Sequence, residues 1–252
     1  MDRFYINSVR LKETLPKSSY LASLPAIKAL QSERELAFRT PVTFFVGENG
    51  TGKSTLLEAI AVGYGFNAEG GSRNFRFSTN DTHSSLYRHL VISKQKHPRD
   101  GFFLRAESLY NVATNIEQLD AAPSFDGPVT AAYGGTSLHR MSHGESFLSI
   151  IQNRFFGRGL YLLDEPEAAL SPSRLLALLC EIRRLEKQDS QCIIATHSPI
   201  LMAYPNATVY EFSAQGIEEK PYWETDHWRI SQRFLKDPQS LLEQLLKEDP
   251  LP

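Results

Sequence analysis

A glycine-rich segment has the residue types and spacing of a phosphate-binding loop. It consists of Gly47, Glu48, Asn49, Gly50, Thr51, Gly52, Lys53, Ser54 and Thr55. Glycines let the backbone curl, so that its N–H groups can approach a phosphate closely. Lys53 would place a positive charge at the β- and γ-phosphates, and the Ser54 hydroxyl would ligate Mg²⁺. The segment therefore predicts binding of Mg-ATP, and the helix after it would turn its positive end to the phosphates.

Two carboxylates follow a second apolar run, which extends from Gly159 to Leu163. Asp164 would stand at the carboxyl end of a strand, where it could hold the Mg²⁺ shell. Glu165 is then the candidate base, or the residue that orients the attacking water. The plain alternative is a buried strand capped by two solvated acids. The glycine-rich loop elsewhere in the chain favours the functional interpretation.

The segment Ser142 to Ser146 allows two interpretations. Ser142 and Glu145 have the spacing of a capping box at the start of a helix, which needs no further purpose. A helix N-terminus that carries a serine and Gly144 is also what an anion site requires. The residues alone leave these two interpretations open.

A histidine follows the next apolar strand, in the segment Ala195 to Pro199. His197 could contact the γ-phosphate or help to hold the attacking water. The alternative is a half-exposed histidine beside a threonine or serine that caps a helix. Its position one strand beyond the Asp-Glu pair favours a role at the site.

The elements that position these residues alternate between strand and helix patterns. Predicted strands cover 4–11, 42–46, 160–163, 192–195 and 209–213, and predicted helices cover 53–64, 143–156, a segment from Pro172 onward, and two segments within 225–247. Residues 65–140 are less regular, with possible strands at 86–93 and 101–105 and a helix at 107–119. Uniformly apolar strands that alternate with helices predict an α/β fold with a mostly parallel sheet covered on both faces.

Length and composition bound the remaining possibilities. We expect 252 residues to form a single domain, with a core at about 1–64 and 142–215, an inserted subdomain at about 65–141 and a helical tail at about 222–252. The chain has no apolar run long enough to span a membrane and no signal-peptide pattern, which favours a cytoplasmic protein.

Charge and cysteine content are less specific. A net charge of −2 provides no global basic field for nucleic acid, although a local basic stripe stays open. Cys180 and Cys192 lie among apolar neighbours without metal-ligand spacing, and both are expected to be buried, reduced thiols.

The order of the four elements resembles the ATP-binding-cassette (ABC) ATPase superfamily. The matching segments are 47–55, 141–146, 164–172 and 196–199, and their details are more similar to compact bacterial ATPases related to SMC and DNA-repair ATPase heads than to transporter subunits. The resemblance implies a head-to-tail homodimer with two ATP molecules at the interface. Ser142, Gly144 and Glu145 would then meet the γ-phosphate bound by the partner's loop. Glu165 would be the catalytic carboxylate and His197 the switch histidine.

The chain departs from the transporter pattern at several positions. His143 and Glu145 stand where transporter subunits usually carry glycine and glutamine, and their interface loop usually ends in Leu-Asp where this chain has Leu170-Ser171. Gln95 and Glu107 are both candidates for a metal-sensing residue. Tyr5 and Phe38 are the candidates for an aromatic residue that stacks on adenine.

The sequence thus predicts an ATPase that acts as a dimerising switch, and the first candidate for its role is a nucleic-acid-linked or defence-type system with a protein or nucleic-acid partner. One alternative is the ATP-binding subunit of a transporter, and another is a nucleotide-dependent binding module with little turnover. The aromatic residues of the tail, Trp223, Trp228 and Phe234, are expected to pack on the core rather than to dock a partner.

Overall fold

Apolar strands rich in β-branched and aromatic residues form a seven-stranded sheet at the centre of the protein. The computed structural model describes residues 4–16, 18–32, 35–73, 84–121 and 127–246. The strands of the large sheet are β3 (Val42–Gly47), β4 (Gly71–Ser72), β6 (Asp100–Arg105), β7 (Gly159–Asp164), β8 (Gln191–Ala195), β9 (Thr208–Ser213) and β10 (Gly216–Glu219). Their order is β10-β9-β3-β8-β7-β6-β4.

The five inner strands are parallel, and only the edge strands β4 and β10 pair in the antiparallel sense. Every residue of β3, β7 and β8 is buried, as expected of parallel strands that are covered on both faces. The predicted α/β fold with a mostly parallel sheet is therefore confirmed.

Helices cover both faces of this sheet. They are α1 (Pro25–Ser32), α2 (Lys53–Tyr64), α3 (Leu109–Ala121), α4 (His143–Arg154), α5 (Pro172–Lys187), α6 (Pro199–Met202), α7 (Asp226–Lys236) and α8 (Pro238–Leu245). Helices α1 and α2 pack on the face that includes Phe45. Helices α3 to α6 contribute to a second core on the face that includes Phe44. Alternation along β3 thus sends neighbouring phenylalanines into two different cores.

A smaller antiparallel sheet lies beside α2. It consists of β1 (Ile6–Leu11), β2 (Leu36–Ala37) and β5 (Leu90–Lys94), in the order β2-β1-β5. The Gln191 side chain joins it to the large sheet, because its Oε1 accepts hydrogen bonds from the N–H groups of Tyr5 and Ile6 at 2.9 Å and its Nε2 donates to the Ile6 carbonyl at 2.9 Å. Gln191 is fully buried, so this side chain acts as a short stretch of strand pairing.

The division into a core and an inserted subdomain stays a prediction. Within 65–141, β5 pairs with β1 and β6 pairs with β7. These two strands therefore belong to the same sheets as the predicted core. The strand predicted at 86–93 begins later than expected, because 85–89 form a 3-10 turn before β5.

Two expectations about burial are corrected. Cys192 is buried in β8, whereas Cys180 is exposed on α5. In the tail, Tyr222 and Trp228 pack against the core, but Trp223 and Phe234 are exposed. The apolar neighbours of Cys180 in sequence lie on other faces of the helix, which is why composition alone was misleading.

The tail forms two helices separated at Asp237, as the sequence predicts. Pro238 follows Asp237 and has no N–H group to continue the hydrogen bonds of α7, whereas a proline is favourable in the first turn of α8. Among the described residues, no helix combines the length and the apolar character that crossing a bilayer requires.

Candidate active site

The glycine-rich loop connects β3 to α2 at the carboxyl edge of the large sheet. Gly47 has a φ of +131°, and a Cβ atom there would lie 2.0 Å from the Phe212 carbonyl oxygen, so no side chain fits. Gly52 is the N-cap of α2 with a φ of 98° and makes no side-chain cap. The first N–H groups of α2 therefore remain available to an anion, as phosphate binding requires.

Lys53 is buried at the start of α2, with 3% of its surface exposed. Its Nζ donates a hydrogen bond to the Glu48 carbonyl at 3.0 Å, and the Thr51 hydroxyl donates to the same oxygen at 2.8 Å. Burial lowers the Lys53 pKa, while Glu165 and Asp164 act in the opposite direction. The lysine is thus a desolvated cation held across its own loop, a favourable place for a phosphate.

Asp164 is the last residue of β7 and is 4% exposed. Burial raises its pKa to about 6, although Arg105 and the Ser54 hydroxyl oppose the shift. Arg105 Nε lies 3.4 Å from Asp164 Oδ2, whereas Oδ1 is buried and has no hydrogen-bond partner among the described residues. A buried carboxylate oxygen without a partner, beside a serine hydroxyl, is the oxygen donor set that Mg²⁺ prefers, so the residues fit this ion.

A cavity of about 300 Å³ brings these groups together. It is lined by Ser54, Arg105, Ala106, Glu107, His143, Asp164, Glu165, Ala168 and Ala169. Of the two metal-sensing candidates, Glu107 lines this cavity and pairs with Arg105, whereas the Gln95 N–H binds the Tyr5 carbonyl beside the small sheet. The location therefore favours Glu107.

Glu165 adopts a left-handed backbone conformation, with φ 47° and ψ 53°. Such a conformation is uncommon for a residue with a side chain and occurs preferentially at functional sites. The Glu165 N–H donates to the Ala195 carbonyl at 2.9 Å, which ties the residue to the end of β8. Its Oε1 lies 3.3 Å from His197 Nε2. The structure thus brings the two residues into contact.

His197 is held by groups that sequence reasoning did not single out. The Thr196 hydroxyl donates to Glu167 Oε2 at 2.7 Å, and the His197 N–H donates to Glu167 Oε1. On the other side of the ring, His197 Nδ1 lies 3.3 Å from Nε2 of His227, a residue of α7. One imidazole therefore contacts both the carboxylate after β7 and a helix of the tail.

The segment at the start of α4 is a capping box. The Ser142 hydroxyl accepts a hydrogen bond from the Glu145 N–H at 3.4 Å, and Glu145 Oε2 accepts from the Ser142 N–H at 2.9 Å. Arg174 of α5 donates to Ser142 Oγ at 3.2 Å and to Glu145 Oε1 at 3.1 Å. These bonds lower the pKa of the exposed Glu145 carboxyl. Capping and exposure coexist, so the first interpretation holds without excluding the second.

Gly144 lies beneath this segment. A Cβ atom there would lie 2.5 Å from Arg174 Nη1 and 2.8 Å from the Ala169 carbonyl oxygen. The glycine therefore lets α4 approach the loop from Ala169 to Ser171, which precedes α5.

Tyr5 and Phe38 are not available to stack on adenine, because each is 3% exposed and belongs to the core. Next to the phosphate loop, a separate cavity of about 370 Å³ is lined by Pro25, Gly47 to Thr51, Glu211 to Ala214, Asp226 and His227. The aromatic character of Tyr5 and Phe38 did not indicate whether they pack in the core or line a cavity that could hold adenine.

The loop, the carboxylate pair and the parallel sheet define a P-loop nucleotide-binding protein. The family model described as "AAA domain" matches residues 23–107, and the one described as "AAA domain, putative AbiEii toxin, Type IV TA system" matches 136–203. CbiO1 from Clostridium perfringens, described as part of an ABC transporter complex, has a TM-score of 0.53 at 15% identity and covers 95% of this chain and 100% of its own.

Two curated relatives are import ATP-binding proteins. The one for xylose from Moorella thermoacetica is 22% identical over 187 residues, and the one for galactose and methyl galactoside from Shigella boydii is 23% identical over 205 residues. The matches cover 69% and 73% of this chain but only 37% and 38% of those proteins. Together with the motifs and the fold, these similarities support an ABC-type P-loop ATPase.

Proposed function

We propose that the chain, acting in the cytoplasm, binds Mg-ATP and hydrolyses it to ADP and phosphate. The observation that carries this proposal is the convergence of Lys53, Ser54, Asp164, Glu165 and His197 at the carboxyl ends of β3, β7 and β8. Parallel strands of an open α/β sheet place ligand-binding residues at this edge.

Each residue has a role that follows from its position. The N–H groups at the start of α2 and the Lys53 ammonium would bind the phosphates, because a helix N-terminus and a buried cation both attract anions. Ser54 and Asp164 would hold Mg²⁺, which neutralises charge on the phosphate oxygens. Glu165 would accept a proton from the attacking water or orient it, and His197 would hold the γ-phosphate or that water.

The Glu165→Gln variant tests the catalytic assignment. We expect phosphate release to fall by about 10²–10³-fold while ATP binding is retained, because the amide cannot accept a proton. Glu219→Gln, an exposed carboxylate that pairs with Arg39, serves as a control with unchanged activity. An unchanged rate of phosphate release in Glu165→Gln would contradict the catalytic assignment of this residue.

Lys53→Ala tests the phosphate site separately. Removal of the buried cation should abolish nucleotide retention in a filter-binding assay, since its Nζ lies against the loop itself, 3.0 Å from the Glu48 carbonyl oxygen. Binding at the wild-type level would exclude Lys53 from the site.

We further propose that ATP joins two copies of the chain. The support is the exposure of Ser142 and Glu145 at the N-terminal end of a 12-residue helix, where the capped segment still presents a serine and N–H groups. Size-exclusion chromatography of Glu165→Gln should show a dimer with ATP and a monomer with ADP. A monomer in both conditions would contradict the switch.

Two processes are candidates for coupling to hydrolysis. A nucleic-acid-linked or defence-type role is supported by two adjoining cavities of about 560 and 730 Å³ at the opposite edge of the sheet, where β6 and β7 begin. Basic side chains line them: Arg73, Arg99, Arg154, Arg158 and Lys187. A transporter role is supported by the names of the two import relatives.

Measurements can separate the candidates. DNA or RNA that stimulates hydrolysis, with the effect lost in Arg99→Glu and Arg158→Glu, would favour the first role. Copurification with an integral membrane protein would favour the second. A binding module with little turnover would dimerise with ATP without measurable phosphate release.

A further inference from the structure

His227 is a titratable residue in contact with the candidate site that none of the sequence motifs includes. His227 is the second residue of α7, in the tail. Its Nε2 nevertheless lies 3.3 Å from His197 Nδ1, and the two ring centroids are 5.3 Å apart. The same residue lines the cavity beside the phosphate loop. A tail helix therefore contributes a polar side chain directly behind the histidine that contacts Glu165.

The start of α7 is fixed by buried polar contacts. Thr225 is fully buried, and its hydroxyl accepts a hydrogen bond from the Trp228 N–H at 3.4 Å. The Asp226 N–H donates to Glu211 Oε1 at 2.8 Å, and the other oxygen of this buried carboxylate accepts from Lys220 Nζ at 2.8 Å. Since His227 directly follows these anchors, its ring is held in place by the body of the protein.

The hydrogen-bond partners of the two rings favour one arrangement of their protons. Glu165 Oε1 is a carboxylate oxygen and can only accept, so the neighbouring Nε2 of His197 carries a proton. When Nε2 carries the single proton of the His197 ring, Nδ1 has a lone pair, and a proton on Nε2 of His227 completes the hydrogen bond between the rings. This leaves His227 Nδ1 as an acceptor.

His227 Nδ1 is buried and has no hydrogen-bond partner among the described residues. Burial, with a smaller contribution from His197, lowers the His227 pKa and so favours the neutral ring. An unpaired buried nitrogen reduces stability, and an apolar ring of the same shape would avoid that cost. Stability therefore does not account for a histidine at this position.

We propose that His227 is a positioning residue for ATP hydrolysis: its Nε2–H donates to His197 Nδ1 and thereby fixes the tautomer and the ring orientation of His197. In this arrangement His197 presents its Nε2–H toward Glu165 and the γ-phosphate position. The inference rests on the proposed function, since it assigns His227 through the role of His197. It also makes the tail helix α7 part of the hydrolytic site.

Three variants test which nitrogen matters. In His227→Gln the side-chain amide can reach the place of Nε2, whereas in His227→Asn it can reach only the place of Nδ1, and His227→Phe keeps the ring shape without any donor. We expect kcat to fall about tenfold in the Asn and Phe variants and to recover to within about threefold of wild type in Gln, as one lost hydrogen bond implies. The KM for ATP should stay unchanged.

The stability of the same variants separates positioning from packing. His227→Phe should unfold at the same or a higher denaturant concentration than wild type while its kcat is reduced. Arg229→Ala, an exposed change on the same helix, is the control with unchanged kcat. Equal rates in the Gln and Asn variants, or a wild-type rate in Phe, would overturn the proposal.

A second measurement does not depend on hydrolysis. Imidazole ¹⁵N chemical shifts should show His197 protonated at Nε2 in the wild-type protein and a mixture of tautomers in His227→Phe. An unchanged His197 tautomer in this variant would exclude the positioning role even if the protein hydrolyses ATP. If the wild type does not hydrolyse ATP, the proposed function fails while the tautomer result still decides the role of His227.

Discussion

At the scale of single residues, Asp164 and Lys53 are oppositely charged groups buried at the same edge of the sheet. Burial raises the pKa of Asp164 to about 6 and lowers the pKa of Lys53. Both shifts disfavour the charged form that phosphate and Mg²⁺ binding requires. The charged groups that would bind the ligand therefore reduce the stability of the folded protein when no ligand is bound.

One prediction concerns the stability of Asp164→Asn as a function of pH. The folded-state pKa of about 6 lies above the ordinary value of 3.8, so the ionised carboxyl destabilises the native state above pH 6, and this loss disappears as the pH falls to about 4. We expect the variant to gain roughly 2–3 kcal/mol in the free energy of unfolding at pH 8. The gain should shrink between pH 6 and pH 4, as measured by urea denaturation in EDTA.

The same variant should lose Mg-dependent ATP hydrolysis, since an amide is a weaker ligand for the ion than a carboxylate. A gain in stability together with a loss of activity would separate the two roles of this residue. A variant less stable than wild type at pH 8 would contradict the argument from burial.

Sequence reasoning found the residues that belong to short motifs and missed those that reach the site from elsewhere. Lys53, Asp164 and His197 each follow or precede an apolar strand, and such a position is readable from the chain. Arg105, Arg174 and His227 arrive through the packing of β6, α5 and α7. Arg105 does end a predicted strand next to Glu107, which is the only local signal that any of the three offers.

At the scale of elements, the reactivity of the two cysteines tests the burial of β8 and the exposure of one face of α5. Cys192 is fully buried in β8, and burial raises the pKa of its thiol to about 12, whereas Cys180 is exposed on α5. A thiol reagent should therefore label one group per native chain and two after unfolding. Cys180→Ser should remove the native label. Rapid labelling of that variant without denaturant would contradict the buried position of β8.

The tail supplies a further prediction, because its two helices differ in their attachment. Neither helix has a fully buried residue, but Trp228 of α7 packs against the core, whereas no described residue of α8 does. Removal of residues 237–252 should therefore change the melting temperature by no more than about 2 °C and leave hydrolysis intact. Removal of residues 222–252 also takes away Thr225, Trp228 and His227. We expect this shorter chain to lose at least about 2 kcal/mol of stability and most of its activity.

Thermal denaturation and phosphate release on the two truncated chains would check this difference. An equal effect of both deletions would mean that α8 contributes packing to the core that its exposure does not indicate.

Helical periodicity predicted most, but not all, of the buried face of α5. The spacing in the sequence predicts an apolar face formed by Leu175, Leu176, Leu179, Ile182 and Leu185. Leu175, Ile182 and Leu185 are buried and Leu179 is partly buried, whereas Leu176 is 57% exposed and Leu178 takes its place in the core. A spacing of 3.6 residues places adjacent leucines near the boundary of the apolar stripe, and only the packing partner decides between them. Residues 65–140 were harder to interpret because short 3-10 turns there interrupt the helix and strand periods.

At the scale of the whole molecule, the proposed dimer depends on the fit between α4 and the loop before α5. In Gly144→Ala, the added methyl group would collide with the Ala169 carbonyl and with Arg174. We expect ATP binding to be retained, while ATP-dependent dimerisation weakens by at least about tenfold and hydrolysis falls with it. Analytical ultracentrifugation with Mg-ATP in the Glu165→Gln background is the measurement.

Gly127→Ala is the matched control, because a Cβ atom at that position meets nothing within 4 Å. It should dimerise and hydrolyse ATP like the parent protein. Loss of nucleotide binding in Gly144→Ala, rather than of dimerisation, would place this segment at the chain's own phosphate site.

The buried side-chain amide of Gln191 also constrains when β1 can join the large sheet during protein synthesis. The first strand, β1, gains its connection to the large sheet from a residue 185 positions later in the chain. On the ribosome, the N-terminal segment must therefore wait until most of the polypeptide has emerged before this pairing can form. Gln191→Leu should slow the final phase of refolding more than it affects the early collapse, because the closure that it removes joins residues 185 positions apart.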